Sequence, residues 1–185
     1  MQASNDLQKL VLASLFAALT AVGAFIAIPI GPVPIVLQNL FVMLMGLMLG
    51  PRWGLAGVAA YLLAGALGLP VFAGGTGGFG RFVGPTGGYL VGYLPSVAMI
   101  GWLCRRGRPV WLFDALAVVA GTLVLYIFGV SWLKVVTGMT WTQTMVVGMV
   151  PFLPGDIAKT IAAVMMVGAL RRMVRPEQAN NPQKA

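Results

Sequence analysis

Six apolar runs succeed one another along the chain, at residues 10–28, 35–49, 53–69, 87–103, 110–130 and 142–170. Roughly 20 mostly apolar residues make a helix that crosses the hydrocarbon core of a bilayer. Within that core only helices and closed barrels satisfy their own backbone hydrogen bonds. The 185 residues are therefore expected to form an all-α integral membrane protein, a bundle of six transmembrane helices. One domain spans residues 1–175, and residues 176–185 form a polar tail. Charged residues make up 9% of the sequence, against roughly 25% in soluble domains, so water is not its main solvent. Lys9 ahead of the first run resembles the positive flank of a signal peptide, but five further apolar runs argue that the segment is kept as a span.

The loops can be assigned alternately to two sides. Lys9, Arg52, Arg105, Arg106, Arg108, Arg171, Arg172, Arg175 and Lys184 then fall together, facing only Arg81 and Lys134 on the other side. Cytoplasmic loops carry the excess of Lys and Arg, so both termini are expected in the cytoplasm and the protein in the bacterial cytoplasmic (inner) membrane as a multi-pass chain. The net charge of +8 is explained by this asymmetry, without nucleic acid as a partner. Histidine is absent and Cys104 is the only cysteine. That excludes disulfides within the chain, Cys/His zinc sites and histidine acid–base chemistry; no metal or cofactor is expected.

Two stretches break the pattern. Residues 70–88 are dense in glycine and include Pro70 and Pro85; such a backbone would go unpaired against lipid, so it is expected to cover the bundle from the extracellular side or fold back into it. Pro151-Phe-Leu-Pro-Gly155 interrupts the last run and should kink or restart a helix, with Gly155 or Asp156 as its cap. Gly75-Thr-Gly77-Gly-Phe-Gly80 fits G-x-G-x-x-G, but it follows an apolar helix and not a strand of a βαβ unit, so it is not read as a dinucleotide site. No G-x-x-x-x-G-K-[ST] occurs. ATP-driven work would have to come from a partner.

Asp156 and Lys159 lie three apart in the last run, which places them on one helix face. Charges at membrane depth are costly and usually face a bundle interior or a cavity. They form either a structural ion pair or a ligand site, since a carboxylate accepts N–H donors and an ammonium attracts a carboxylate or carbonyl. Arg81 stands between Phe79 and Phe82 in the glycine-rich loop, either solvated or pairing with an anionic ligand from above. Ala13, Ala17 and Ala21 recur every fourth residue along the first run, and small residues at that spacing let another helix approach closely in lipid. That helix is either a sibling or a partner's. Gly46, Gly50 and Gly54 form a similar series, but it crosses Pro51 and the turn at Arg52.

Four blocks of sequence resemble the BioY family, the biotin-specific substrate-binding S components of energy-coupling factor (ECF) transporters. They are Pro29-Ile-Gly-Pro-Val-Pro34 with Gln38, Gly68-Leu-Pro-Val-Phe-Ala-Gly-Gly75, Gly84-Pro-Thr-Gly-Gly-Tyr-Leu-Val-Gly-Tyr93, and Pro151-Phe-Leu-Pro-Gly-Asp-Ile-Ala-Lys159. The resemblance implies high-affinity capture of one biotin in an outward-facing pocket covered by extracellular loops. It also implies delivery by a partner transmembrane subunit and two ABC ATPases, so a transport protein and not an enzyme. On this reading Asp156 accepts from the ureido N–H groups, Lys159 donates to a biotin oxygen, and Arg81 takes the carboxylate with Thr86 nearby. Tyr89, Phe72 and Phe152 pack on the apolar rings. The alanine series resembles the A-x-x-x-A contact of S components with their transmembrane partner. Function without that partner, as homo-oligomers, is left open.

Three other readings stand beside it. A proton-coupled secondary transporter of a small anionic vitamin would use Asp156 as its proton site. An intramembrane enzyme would use Lys159 as base and Asp156 as acid, but no nucleophile or metal constellation accompanies them. A structural subunit would bind no small molecule.

Overall fold

The computed structural model describes residues 2–29, 31–106 and 110–174. The expected tail over 176–185, and with it Arg108, Arg175 and Lys184, lies outside the described residues. The elements run α1 (Gln2–Phe25), a two-residue antiparallel pair β1 (Ala27–Ile28) and β2 (Ile35–Val36), α2 (Gln38–Ala66), the single turn α3 (Gly80–Val83), and α4 (Gly87–Arg106). They continue with α5 (Trp111–Thr137), α6 (Trp141–Gly148), a 3₁₀ turn (Val150–Phe152) and α7 (Leu153–Val174).

Five stretches are helical, long and apolar enough to cross a membrane, among them α2 as one 29-residue piece. The sequence had suggested two runs there, and α2 does change course within itself. Gly50 sits at φ 74°, ψ −173°, a backbone region essentially reserved for glycine, and Pro51 behind it disfavours the α conformation at the residue before. Tyr61 Oη donates to Gln38 Oε1 over 3.3 Å across 23 positions, which a straight helix would hold roughly 34 Å apart at its 1.5 Å rise. A Cβ on Gly54 would lie 3.8 Å from Gly46 Cα. The chain therefore doubles back at Gly50 into a helical hairpin, and the glycine series 46, 50, 54 marks the reversal.

Glycine also sets how closely the other helices pack. Gly46 and Gly54 of α2 receive Ile100 and Val97 of α4, and Gly121 of α5 receives Ile100 from the other side. α4 thus lies between the hairpin and α5, with Val97, Ile100 and Val118 fully buried. α1 packs on α2, with the Ala13 carbonyl oxygen against Gly57 and Phe41 against Gly23. The outward surface is apolar: Leu15, Val22, Leu123, Ile127, Ile157 and Ile161 are all exposed, which suits hydrocarbon as the solvent.

The Pro-rich interruption folds as expected in kind, but the restart comes earlier. Thr140 caps α6 in a reciprocal box with Gln143, the 3₁₀ turn follows, and α7 begins at Leu153 and not at a cap on Gly155 or Asp156. Pro154 is tolerated because first-turn N–H groups have no helical partner in any case. Asp156 consequently sits inside the first turn of α7, at the positive end of the helix dipole.

Candidate ligand-binding site

The first turns of α2 and α7, the first two turns of α4, the middle of α5, and the loops 31–37 and 67–86 meet around a cavity of about 140 Å³. At roughly 10–15 Å³ per water, it has room for a small molecule and not for a lipid or a peptide. The glycine-rich loop supplies part of its wall. Phe72 is buried there, its ring edge-on to Tyr61 and Phe82 at 5.6 Å each and seated on Gly65, where any Cβ would collide with it. Gly78 N–H donates to Gly65 O at 2.7 Å and Gly74 N–H to Ala24 O at 3.1 Å, tying the loop to α2 and α1. Trp132 Nε1–H donates to Gly84 O at 3.0 Å and fixes its far end. The backbone of this stretch is paired with the bundle, which is how so much glycine is accommodated.

Asp156 is the polar centre of the cavity wall. Its Oδ1 accepts from Lys159 Nζ and from Asn39 Nδ2, each at 3.1 Å, and its Oδ2 accepts from Tyr126 Oη. Asp156 and Lys159 are 6% and 8% exposed, so the carboxylate is held by its partners and not by water; uncompensated, such a burial would be prohibitive. A second polar line runs beside it: Gln38 Nε2 donates to Tyr93 Oη at 2.7 Å, and Tyr61 Oη reaches both Gln38 Oε1 and Val71 O. Tyr93 lines the cavity.

Six residues singled out from sequence meet here. Asp156, Arg81, Thr86, Tyr89, Phe72 and Phe152 all line the one cavity. Arg81 is half-buried at its edge and forms no ion pair among the described residues. Tyr89 spends its hydroxyl on Gly148 O at 2.6 Å, leaving its ring for the cavity. Lys159 stands behind Asp156 and is not among the lining residues. Ala13 is buried against α2, while Ala17 and Ala21 are half-buried at the edge of α1; α1 supplies none of the lining. Sequence reading missed Asn39, Tyr93 and Tyr126. Asn39 could have been flagged as a polar residue at the head of an apolar run; the two tyrosines carry no local signal.

Residues 1–176 match the BioY family. The chain belongs to the BioY family. It is 42% identical over 160 residues to the probable biotin transporter BioY of Pyrococcus horikoshii, covering 86% of this chain and 94% of that one. It is 40% identical over 167 residues to the biotin transporter BioY of Thermotoga maritima, covering 90% and 98%. Its fold is that of a crystal structure of the S-component for biotin from an ECF-type ABC transporter, with a TM-score of 0.87 and 32% identity over 93% of this chain and 95% of that one. With its long apolar helices, this BioY-family chain is a multi-pass membrane protein.

Proposed function

We propose that this chain captures biotin at the outer face of the cytoplasmic membrane as the S component of an ECF-type transporter. The observation that carries this is Asp156: a buried carboxylate in the wall of a small, largely apolar cavity, gathered by Lys159, Asn39 and Tyr126, in a BioY-family chain. Biotin's ureido ring offers N–H donors to that carboxylate, its thioether ring suits the faces of Phe72, Tyr89 and Phe152, and its valerate carboxylate suits Arg81 with Thr86 beside it. Lys159 neutralises and aims Asp156. Apolar pockets with a few well-placed polar groups are the usual design for such ligands.

The proposed topology is six spans with both termini in the cytoplasm, α2 counting twice because it doubles back at Gly50. Two ABC ATPases supply the energy through a transmembrane partner, which docks on the edge of α1 carrying Ala17 and Ala21, with Ala13 spacing α1 from α2 behind them. The experiment is a titration of purified protein in detergent with labelled biotin. Saturable retention, weakened by Asp156→Asn and by Lys159→Ala, supports the reading; no retention by the unmodified protein overturns it.

A further inference from the structure

Tyr61 lies on the limb of α2 beyond Gly50, is buried, and is not among the residues that line the cavity. It stands between two that do: Gln38 at the head of α2, and Phe72 of the glycine-rich loop, whose ring it meets edge-on at 5.6 Å. Its Oη lies 3.0 Å from Val71 O in the loop and 3.3 Å from Gln38 Oε1 in the bundle. Both of these oxygens only accept, and a tyrosine hydroxyl carries one proton. One donor therefore faces two acceptors. Gln38 Nε2 is engaged with Tyr93 Oη at 2.7 Å, which keeps Oε1 turned toward Tyr61.

The loop's other bonds to the helices are of a different kind. Gly74 N–H donates to Ala24 O and Gly78 N–H to Gly65 O; these donors belong to the loop and would meet water if it lifted. The Tyr61 hydroxyl belongs to a buried helix and would stay behind. A buried donor left without an acceptor bears the full penalty of its desolvation, which would hold the loop shut. Gln38 Oε1 removes that penalty, because rotation about the Cζ–Oη bond redirects the proton without moving the ring.

We infer that Tyr61 is a positioning residue with two settings, donating to Val71 O while the loop is seated and to Gln38 Oε1 while it is lifted. Residues 71–78 are then the part of the wall that opens to admit the ligand. The inference rests on the biotin reading above for the identity of that ligand alone. Tyr61 lines no part of the cavity, so it sets the rate of passage and not the affinity.

The test uses the full-length protein in detergent. Without biotin, amide hydrogen exchange at Gly74 and Gly78 reads the opening directly. Tyr61→Phe removes the bond of the seated loop and should speed exchange about 3- to 10-fold, whereas Gln38→Leu removes the standby acceptor and should slow it by a like factor. Any other order of the three rates overturns the inference. With labelled biotin, Tyr61→Phe should raise the association and dissociation rates together, about 3- to 10-fold, and keep equilibrium retention within about twofold. Faster dissociation alone, with retention weakened to match, means that Tyr61 merely supports the bound state and overturns the inference. No retention by the unmodified protein overturns biotin capture instead, and the exchange measurement still decides the role of Tyr61.

Discussion

Arg171 Nη1 donates to Asp114 Oδ2 at 2.7 Å, joining the last turn of α7 to the first turn of α5 at the end of the bundle away from the cavity. The same guanidinium reaches Asp114 Oδ1, Leu47 O of α2 and Cys104 Sγ of α4, and the Cys104 thiol donates to Asp114 Oδ1 at 3.2 Å. Four helices are thus fastened at one point.

Arg171→Gln should therefore destabilise the protein by about 1–3 kcal/mol, the usual cost of leaving a buried polar partner unpaired, because Asp114 is only 3% exposed. Added to Asp114→Asn, it should cost less than the sum of the two, as expected of residues in one network. Thermal unfolding in detergent measures both. Biotin affinity should stay within about twofold, since Arg171 stands 15 positions along α7 from Asp156, roughly 22 Å at the helical rise.

Gly50→Ala is expected to cost about 1–3 kcal/mol, the range for a side chain forced into such a backbone region. The new Cβ would also press on the Arg105 guanidinium, which lies over Gly50. A lower unfolding temperature is the expected result; an unchanged one would mean that the hairpin turns differently.

Three donors gather Asp156 in the wall, and their removal should differ in kind. Tyr126→Phe takes away a single hydroxyl and should weaken biotin about 2- to 10-fold. Lys159→Ala leaves a buried carboxylate without its counter-ion and should also cost about 3–5 kcal/mol of stability. Equilibrium binding and thermal unfolding, run together on both variants, separate the effects.

The cover should respond to packing alone. In Gly65→Ala, the added methyl collides with the Phe72 ring, and overpacking of this kind costs about 1–3 kcal/mol. Bound biotin should dissociate faster than from the unmodified protein, and Phe72→Leu in the same chain should restore part of the loss.

Ala17→Trp should abolish co-purification of the transmembrane partner while biotin binding stays within about twofold. Ala13→Trp should impair both, because Ala13 is 3% exposed and has no room for an indole between α1 and α2.

Features written in neighbouring residues were legible from sequence. Asp156 and Lys159 announce themselves by their spacing, and the apolar runs by their length. Pro51 with Arg52 separates two runs that the fold joins into one hairpin. The glycine-rich stretch excludes itself from lipid, and Phe72, Ala73, Thr76 and Arg81 from it line the cavity. What stayed hidden is assembled across distance: Asn39 meets Asp156 over 117 positions and Arg171 meets Asp114 over 57. No local period links such partners. Arg171 moreover looks like one more cytoplasmic charge in a basic tail until the fold supplies its carboxylate.

The absence of α1 from the cavity has a mechanical corollary. The helix is tied to the covering segments by its final turn, where Ala24 O accepts from Gly74 N–H and Gly23 O from Leu37 N–H. None of its residues lines the cavity. A protein leaning on α1 would tug the cover at Gly74 and the head of α2 at Leu37 together, so that a push made outside the pocket is felt at its rim without any residue of α1 entering it.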